Sequence, residues 1–389
     1  MTVVEDAPSS DTQEAQDLFK EARRRRRRRW ALLGVLVLAA SVVGPILGLH
    51  GGGSRGSDRR PPRPRSSQGS PVAGPSGHRV VVVDNDAVMT LIDFSTGAYK
   101  AVVLPHKGGG DYPDAVLATG GFFVYPGDGG TYAIALDVSG SPRLLGPSSY
   151  PVPSTTAGRV WLETITTASG QAVSETVQEV GADGRYRSHL YRVPVGFSPI
   201  SGVAGGLLLA GGPTNGSVVW NPVTGRFGTQ FPGPNVGNLV DVRGSMVAWG
   251  VGCLPDSICT SVRVTDVTTG QSRDYPAPHG TVGWVSTGAE GSRDAFSSDG
   301  QYLAMRAASG ASQQSPSNVF VVTLSSGATS LVPDSSPPYP YSRVAWLPGS
   351  SWVVFASSTG SVSAYNVQAR QRRSFPTPCC GVALLAVVG

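Results

Sequence analysis

Leu91-Ile-Asp-Phe-Ser-Thr-Gly97 is an apolar stretch that ends in a polar residue and a turn closed by glycine, and the pattern returns six more times. The copies are IALDVSG ending at Gly140, VGADG at Gly184, WNPVTG at Gly225, VTDVTTG at Gly270, VTLSSG at Gly327 and AYNVQAR at Arg370. The closing residues are 43, 44, 41, 45, 57 and 43 positions apart. A proline ending the next strand gives a second landmark, at Pro105, Pro147, Pro194, Pro232, Pro276, Pro333 and Pro376. Both landmarks describe the same unit, with one insertion in the same place. In the first copy the Asp93 side chain can accept backbone N–H groups across the turn, and Gly97 supplies the positive φ of a tight hairpin.

Two short apolar runs around a turn precede each landmark, such as Gly121–Tyr125 with Tyr132–Leu136, or Trp352–Phe355 with Val362–Tyr365. Four short strands repeating every 40–45 residues are the signature of a β-propeller blade. The first unit begins at Arg79-Val-Val-Val-Val83 with no innermost strand before it, while the chain carries a surplus apolar segment, Gly381–Gly389. That segment is expected to complete the first blade. The expected fold is therefore all-β, a seven-bladed β-propeller over 78–389 closed by its C-terminal strand, with one transmembrane helix before it.

Composition agrees: 51 Gly and 31 Pro among 389 residues, with 15% charged, disfavour a helical bundle. The net charge of +5 is uneven. Residues 1–65 hold 12 Arg and one Lys against seven acids, +6, so the remainder carries −1. The basic character belongs to the N-terminal segment, and no nucleic-acid partner is expected.

Arg23–Arg29 run into 20 uncharged residues, Trp30–Leu49. A helix of that length spans about 30 Å, the thickness of a hydrocarbon core. The arginines predict an N-in orientation. A cleaved signal peptide is the competing reading, but its apolar core would be shorter. The expected divisions are a cytoplasmic basic tail, 1–29; a signal-anchor helix in the cytoplasmic membrane, 30–49; a disordered Gly/Pro/Ser/Arg linker, 50–77; and the propeller outside. The excess of Arg (28) over Lys (3) suggests a GC-rich bacterial genome. A signalling receptor is disfavoured because so short a tail cannot form an output domain.

Ala295-Phe-Ser-Ser-Asp-Gly-Gln-Tyr-Leu-Ala304 resembles the FSPDG-x-x-LA turn of WD40-like, TolB-type propeller repeats, with Ser298 in place of Pro. Arg343-Val-Ala-Trp-Leu-Pro-Gly349 is a degenerate second copy. The resemblance is to a repeat class. It implies a propeller scaffold used for binding and carries no catalytic residues over.

Cys253 and Cys259 flank a five-residue hairpin in the fifth unit, and in an exported domain they are expected to form a disulfide. The adjacent Cys379 and Cys380 leave three outcomes open: a vicinal disulfide, free thiols or other partners. The five histidines are scattered, so no metal site is expected. No phosphate loop or nucleophile elbow is present, and no cofactor is expected.

The connection from Pro276 to Asp294 is long and carries His279, Trp284, Glu290, Arg293 and Asp294. The Cys253–Cys259 hairpin and the polar hairpin containing Gln313 and Gln314 are expected beside it, forming a binding sector on one face. Trp284 has a second reading as a core plug under its own loop. The expected function is a non-catalytic binding or scaffolding module for a peptide, glycan or envelope protein. The alternative is a propeller hydrolase or lyase using Asp114, Asp241, Asp294 and Arg343 at the channel mouth.

Overall fold

A computed structural model describes residues 76–388, apart from stretches in connecting segments of which 106–116, 232–238, 286–293 and 336–343 are the longest. Among the described residues the regular structure is 28 β-strands, and no helix is present. Residues 1–75, with the arginine run and the anchor segment, lie outside the described part.

The strands follow one another as antiparallel meanders. The first sheet contains β1 (Arg79–Asp84), β2 (Val88–Asp93) and β3 (Tyr99–Val103). The next are β4–β7 (Leu117–Thr119, Phe122–Gly127, Gly130–Ala135, Arg143–Pro147) and β8–β11 (Ser149–Pro153, Arg159–Ala168, Gln171–Gly181, Tyr191–Arg192). Then come β12–β15 (Phe197–Val203, Gly206–Gly211, Ser217–Trp220, Phe227–Phe231) and β16–β19 (Leu239–Arg243, Met246–Cys253, Ile258–Asp266, Ser272–Pro276). The strands β20–β23 (Gly283–Val285, Tyr302–Ala308, Ser317–Thr323, Thr329–Leu331) share one larger sheet with β16–β19, and β24–β27 (Val344–Trp346, Trp352–Ala356, Val362–Asn366, Gln371–Phe375) form another meander. The last strand, β28 (Val382–Val388), pairs antiparallel with β1 from Arg79↔Val388 to Asp84↔Val382. The sheet order there is β28-β1-β2-β3, the pairing expected for the surplus C-terminal segment.

Alternation along each strand sends side chains to both faces, so each sheet packs against two others. Val81 and Leu91 meet Phe123 and Ile134, whereas Val80 and Phe94 on the opposite face meet Trp352 and Phe375. Leu145 meets Leu162, Val177 meets Leu209, and Phe231 meets Trp249 in the same manner. The fourth strands are the exposed ones, as in β3 and β23.

The repeating turn works as its chemistry requires. Thr96 N–H donates to Asp93 Oδ1 at 2.7 Å, Asn221 and Asn366 accept corresponding bonds from Thr224 and Ala369, and Asp266 accepts one from Thr268, two residues on. The hydroxyl of Ser95 and the N–H and hydroxyl of Thr96 draw the Asp93 carboxyl down to about 2. All six closing glycines have positive φ, and Arg370, which stands in the seventh, keeps it at 54°. The Asx bonds and the left-handed closing residue thus survive the loss of glycine.

The turns also serve as docking points between meanders. Arg143, Arg273 and Arg373 each stand three residues after a closing residue and donate to backbone carbonyls in the corresponding turn of the neighbouring meander. Arg273 reaches three of them, Leu324 O at 3.0 Å, Ser325 O at 2.6 Å and Ser326 O at 3.0 Å. Arg373 donates to Ser95 O while lying over the rings of Phe94 and Phe375. The guanidinium satisfies carbonyls that a tight turn leaves without partners.

Candidate functional site

The junction between the β17–β18 hairpin and the β21–β22 hairpin is the most elaborated part of the described chain. Cys253 and Cys259 face each other across the β17–β18 pair and are joined by a disulfide, as expected. The backbone beneath it leaves no spare room. A Cβ on Gly250 would lie 2.4 Å from Cys259 Sγ and 2.9 Å from Cys253 Sγ.

The chain beyond Pro276 then returns as β20 and lies between two meanders within one sheet. Its residues pair with β18 through Cys259↔Trp284 and Ile258↔Val285, and with β21 through Gly283↔Ala308, Trp284↔Ala307 and Val285↔Arg306. Gly283 is required at this crossing, because a Cβ there would stand 2.8 Å from Cys259 O. A three-residue strand therefore stitches the disulfide hairpin to the next meander.

Trp284, named among the binding residues, is fully buried and presents no ring to solvent. Its indole donates to Tyr275 O at 3.0 Å and meets Phe320 edge-on. The register that pairs Trp284 with Cys259 and Ala307 points its side chain to the face covered by the apolar cluster to which Tyr275 belongs. The core-plug reading holds, and Trp284 supports the sector from below. His279 is exposed and Asp294 half-buried. Glu290, Arg293, Gln313, Gln314, Cys379, Cys380, Asp114 and Arg343 lie outside the described residues.

Asp241, on the innermost strand β16, is buried and accepts N–H bonds from Val242 on Oδ1 at 2.7 Å and from Phe296 on Oδ2 at 2.8 Å. It joins β16 to the turn that resembles the propeller-repeat motif. Burial pushes its carboxyl up to about 8, with the charge of Asp294 adding to the effect and the two N–H donors opposing it. The tertiary structure does bring Asp241 and Asp294 into electrostatic contact, but both oxygens of Asp241 are engaged by the backbone. That is the chemistry of a strut. Ser298, the departure from the motif, accepts the Gly349 N–H at 2.7 Å and so ties this turn to the next sheet.

A raised carboxyl pKa has a defined sign. Below the ordinary carboxylate range Asp241 is protonated in both folded and unfolded chains, and its contribution is fully present. Between there and about 8 only the folded chain keeps the proton, so stability falls as pH rises. Asp241→Asn is expected to flatten this fall, with the gap between variant and parent melting temperatures narrowing or reversing toward pH 8. Thermal unfolding at several pH values measures it, and parallel curves for the two proteins would contradict the assignment.

Glu163 on β9 and Glu175 on β10 form a second carboxyl pair, which strand periodicity did not single out. Burial, then the hydrogen bond to Glu175 and its charge, push Glu163 up to about 9. The sequence signal was an acid on each of two apolar strands, but nothing local marks the two as neighbours.

No protein-family model matches the chain, and no curated protein matches it. Among solved structures it is similar to TolB from Acinetobacter baumannii, with 13% identity, a TM-score of 0.44, and 80% of this chain aligned. That alignment takes in 66% of the TolB chain, just under two thirds. It is also similar to apo AztD from Citrobacter koseri, at 10% identity and TM-score 0.46 over 80% of this chain and 98% of that one. Dihydro-heme d1 dehydrogenase NirN in complex with DHE gives 13% identity and 0.48 over 85% and 77%. The successive antiparallel meanders are all-β and propeller-like in themselves, and the Ala295–Ala304 motif resembles TolB-type repeats as a class rather than one characterised protein.

Proposed function

We propose that this chain is a single-pass, N-in membrane protein that holds a closed seven-bladed propeller outside the cytoplasmic membrane. The propeller acts as a non-catalytic binding or scaffolding module for an envelope protein or peptide. Seven landmark turns support the blade count. Support for closure comes from β28, which pairs with β1 and touches both β4 and β24, and from the Arg373 bond to Ser95. The arginine run and the 20 uncharged residues after it support the anchor.

The observation that carries the binding reading is the stitched junction, where a disulfide hairpin and a doubly paired strand make a braced base from which the polar stretch of sequence sets out. Function concentrates on loops held in this way. The residues proposed to meet the partner are His279, Glu290, Arg293, Asp294, Gln313 and Gln314, a mixture of both charges and neutral amides suited to a polar polypeptide surface. Tethering to a membrane raises the local concentration of such a module around its partner.

The test is a pull-down from detergent-solubilised membranes, comparing the parent with a variant in which those six residues are Ala. Trp284 stays in place so that the base is intact, and circular dichroism checks that both proteins fold. A protein recovered with the parent and lost with the variant is the expected result. Equal recoveries, or a glycan as the only molecule lost, would overturn the reading.

A further inference from the structure

The outer rim of the β8–β11 meander differs from the others. Strands β3, β7, β15, β19 and β27 each have five residues, whereas β11 has two. The rest of that rim belongs to the segment Gly184-Arg-Tyr-Arg-Ser-His-Leu-Tyr-Arg-Val-Pro-Val-Gly196, which holds three arginines, one histidine and no acid. The segment is nonetheless fastened to β10. Arg187 N–H donates to Glu179 O at 2.7 Å, Gln178 Nε2 to Ser188 O at 3.0 Å, and Val193 N–H to Glu175 O at 2.8 Å.

Exposed apolar side chains gather on this fixed backbone. Tyr186, Leu190 and Val195 are 59%, 61% and 89% exposed, so three of the ten exposed large hydrophobic residues among those described fall within ten positions. Leu144, also exposed, stands beside Arg143, which donates to Asp183 O.

Positive charge gathers in the same place. Arg187 meets the Asp183 carboxylate at 2.6 Å and Arg185 lies 3.9 Å from it, while Arg192 is exposed further along the rim. Arg143, Arg185, Arg187 and Arg192 are thus set against one exposed acid. The two acids of β10 are already engaged, Glu179 by Arg159 at 3.1 Å and Glu175 by the Ser198 hydroxyl at 3.3 Å.

Single exposed apolar residues are ordinary, but a fixed group of them among uncompensated cations has a definite chemical complement. An anionic bilayer surface offers phosphates to guanidinium groups and, just beneath, acyl chains to Leu and Val, with Tyr favoured at the boundary. A polypeptide docking by strand addition would need a long edge, and this rim offers two residues of strand. We propose that residues 185–195 are a membrane-docking surface, with the arginines on the phosphates of anionic lipids and Tyr186, Leu190 and Val195 in the headgroup boundary. The proposal rests on the anchor reading for proximity alone: residues 50–75 reach at most about 90 Å, which would keep the rim near the bilayer that Trp30–Leu49 enters.

Amide hydrogen exchange of the full chain in nanodiscs tests this, comparing phosphatidylcholine alone with a mixture containing about one third phosphatidylglycerol, at about 0.05 M salt. Peptides covering 185–195 are expected to exchange at least about fivefold more slowly with phosphatidylglycerol present, while β21 and β22 are unchanged. Arg185→Ser with Arg192→Ser is expected to abolish the difference, since each arginine near an anionic surface strengthens attachment about fivefold. Leu190→Ser with Val195→Ser is expected to reduce it with every charge kept. All four side chains are exposed, so both variants keep the fold. Equal exchange in the two lipids, or a difference that survives both double substitutions, would overturn the proposal. An acidic protein that protects the same amides in phosphatidylcholine alone would overturn it too.

Carbonate extraction from vesicles reports the anchor separately. A chain that resists extraction yet shows no lipid dependence keeps the anchor and loses the rim. A chain that is extracted, yet whose rim amides slow when phosphatidylglycerol vesicles are added, keeps the rim and loses the anchor.

Discussion

A chain ending at Gly381 is expected to lose its cooperative unfolding transition altogether. The missing residues include β28, which pairs with β1 along the whole of that strand. Without it the inner edge of β1 would present a row of unpaired N–H and C=O groups inside the protein, each costing about 1–3 kcal/mol when buried without a partner. The loss exceeds the 5–15 kcal/mol by which domains are ordinarily stable once several such groups are counted. Because β28 also touches β4 and β24, its neighbours on both sides lose packing with it. Differential scanning calorimetry with near-ultraviolet circular dichroism gives the measurement. A sharp transition within a few degrees of the parent's would mean that the sheets hold together without the terminal strand. A synthetic peptide of residues 381–389 is expected to restore part of the transition in a concentration-dependent way, because binding to the folded form alone is stabilising.

The second large effect is expected at Trp284. Its ring is buried in the cluster that contains Tyr275, Phe296, Leu303, Met305 and Trp346. Replacement of a buried aromatic by Ala costs about 3–5 kcal/mol through lost contacts and an unfilled cavity. The Tyr275 carbonyl would also lose its donor, adding about 1 kcal/mol. Trp284→Ala should lower the melting temperature by on the order of 10 °C. Val282→Ala, two residues earlier at a partly exposed position, should change it little. A Trp284 variant as stable as the parent, with its partner recovered normally, would return the indole to the exposed sector from which its burial removes it. A stable variant that lost its partner would place the ring at the interface itself. The disulfide is the smaller brace: closing so short a loop contributes about 2 kcal/mol.

Much of the fold was legible because its determinants are local. An Asp or Asn that can cap a turn and a glycine free to take positive φ are properties of a few adjacent residues, and they recur at the spacing of the strands. The turn at Asn366–Arg370 shows how far this extends. Its Asx bonds and the φ of 54° at Arg370 reproduce the glycine turns although the closing glycine is gone. The Cys253–Cys259 pairing was legible for the same reason, since a five-residue hairpin sets the two thiols opposite each other.

The sector was legible only in outline. The length and polarity of the Pro276–Asp294 connection marked it, but the face to which Trp284 points depends on the register in which β20 pairs. That is settled by Cys259 and Ala307, which lie 25 and 23 residues away in the chain. The arginine clasps left a faint signal, the spacing of three from the closing residue in Arg143, Arg273 and Arg373, yet their acceptors are bare carbonyls that no residue type announces.

The sequence by itself therefore determined the all-β repeat, the positions and chemistry of its turns, the surplus C-terminal strand and the hairpin disulfide. Each rests on side-chain period or turn stereochemistry within a few residues. Only the tertiary structure decided that Trp284 is a plug and that Asp241 is a strut to Phe296. Burial and acidity are set by what surrounds a group in space, and in these cases much of that environment comes from strands far apart in the chain or from a neighbouring sheet.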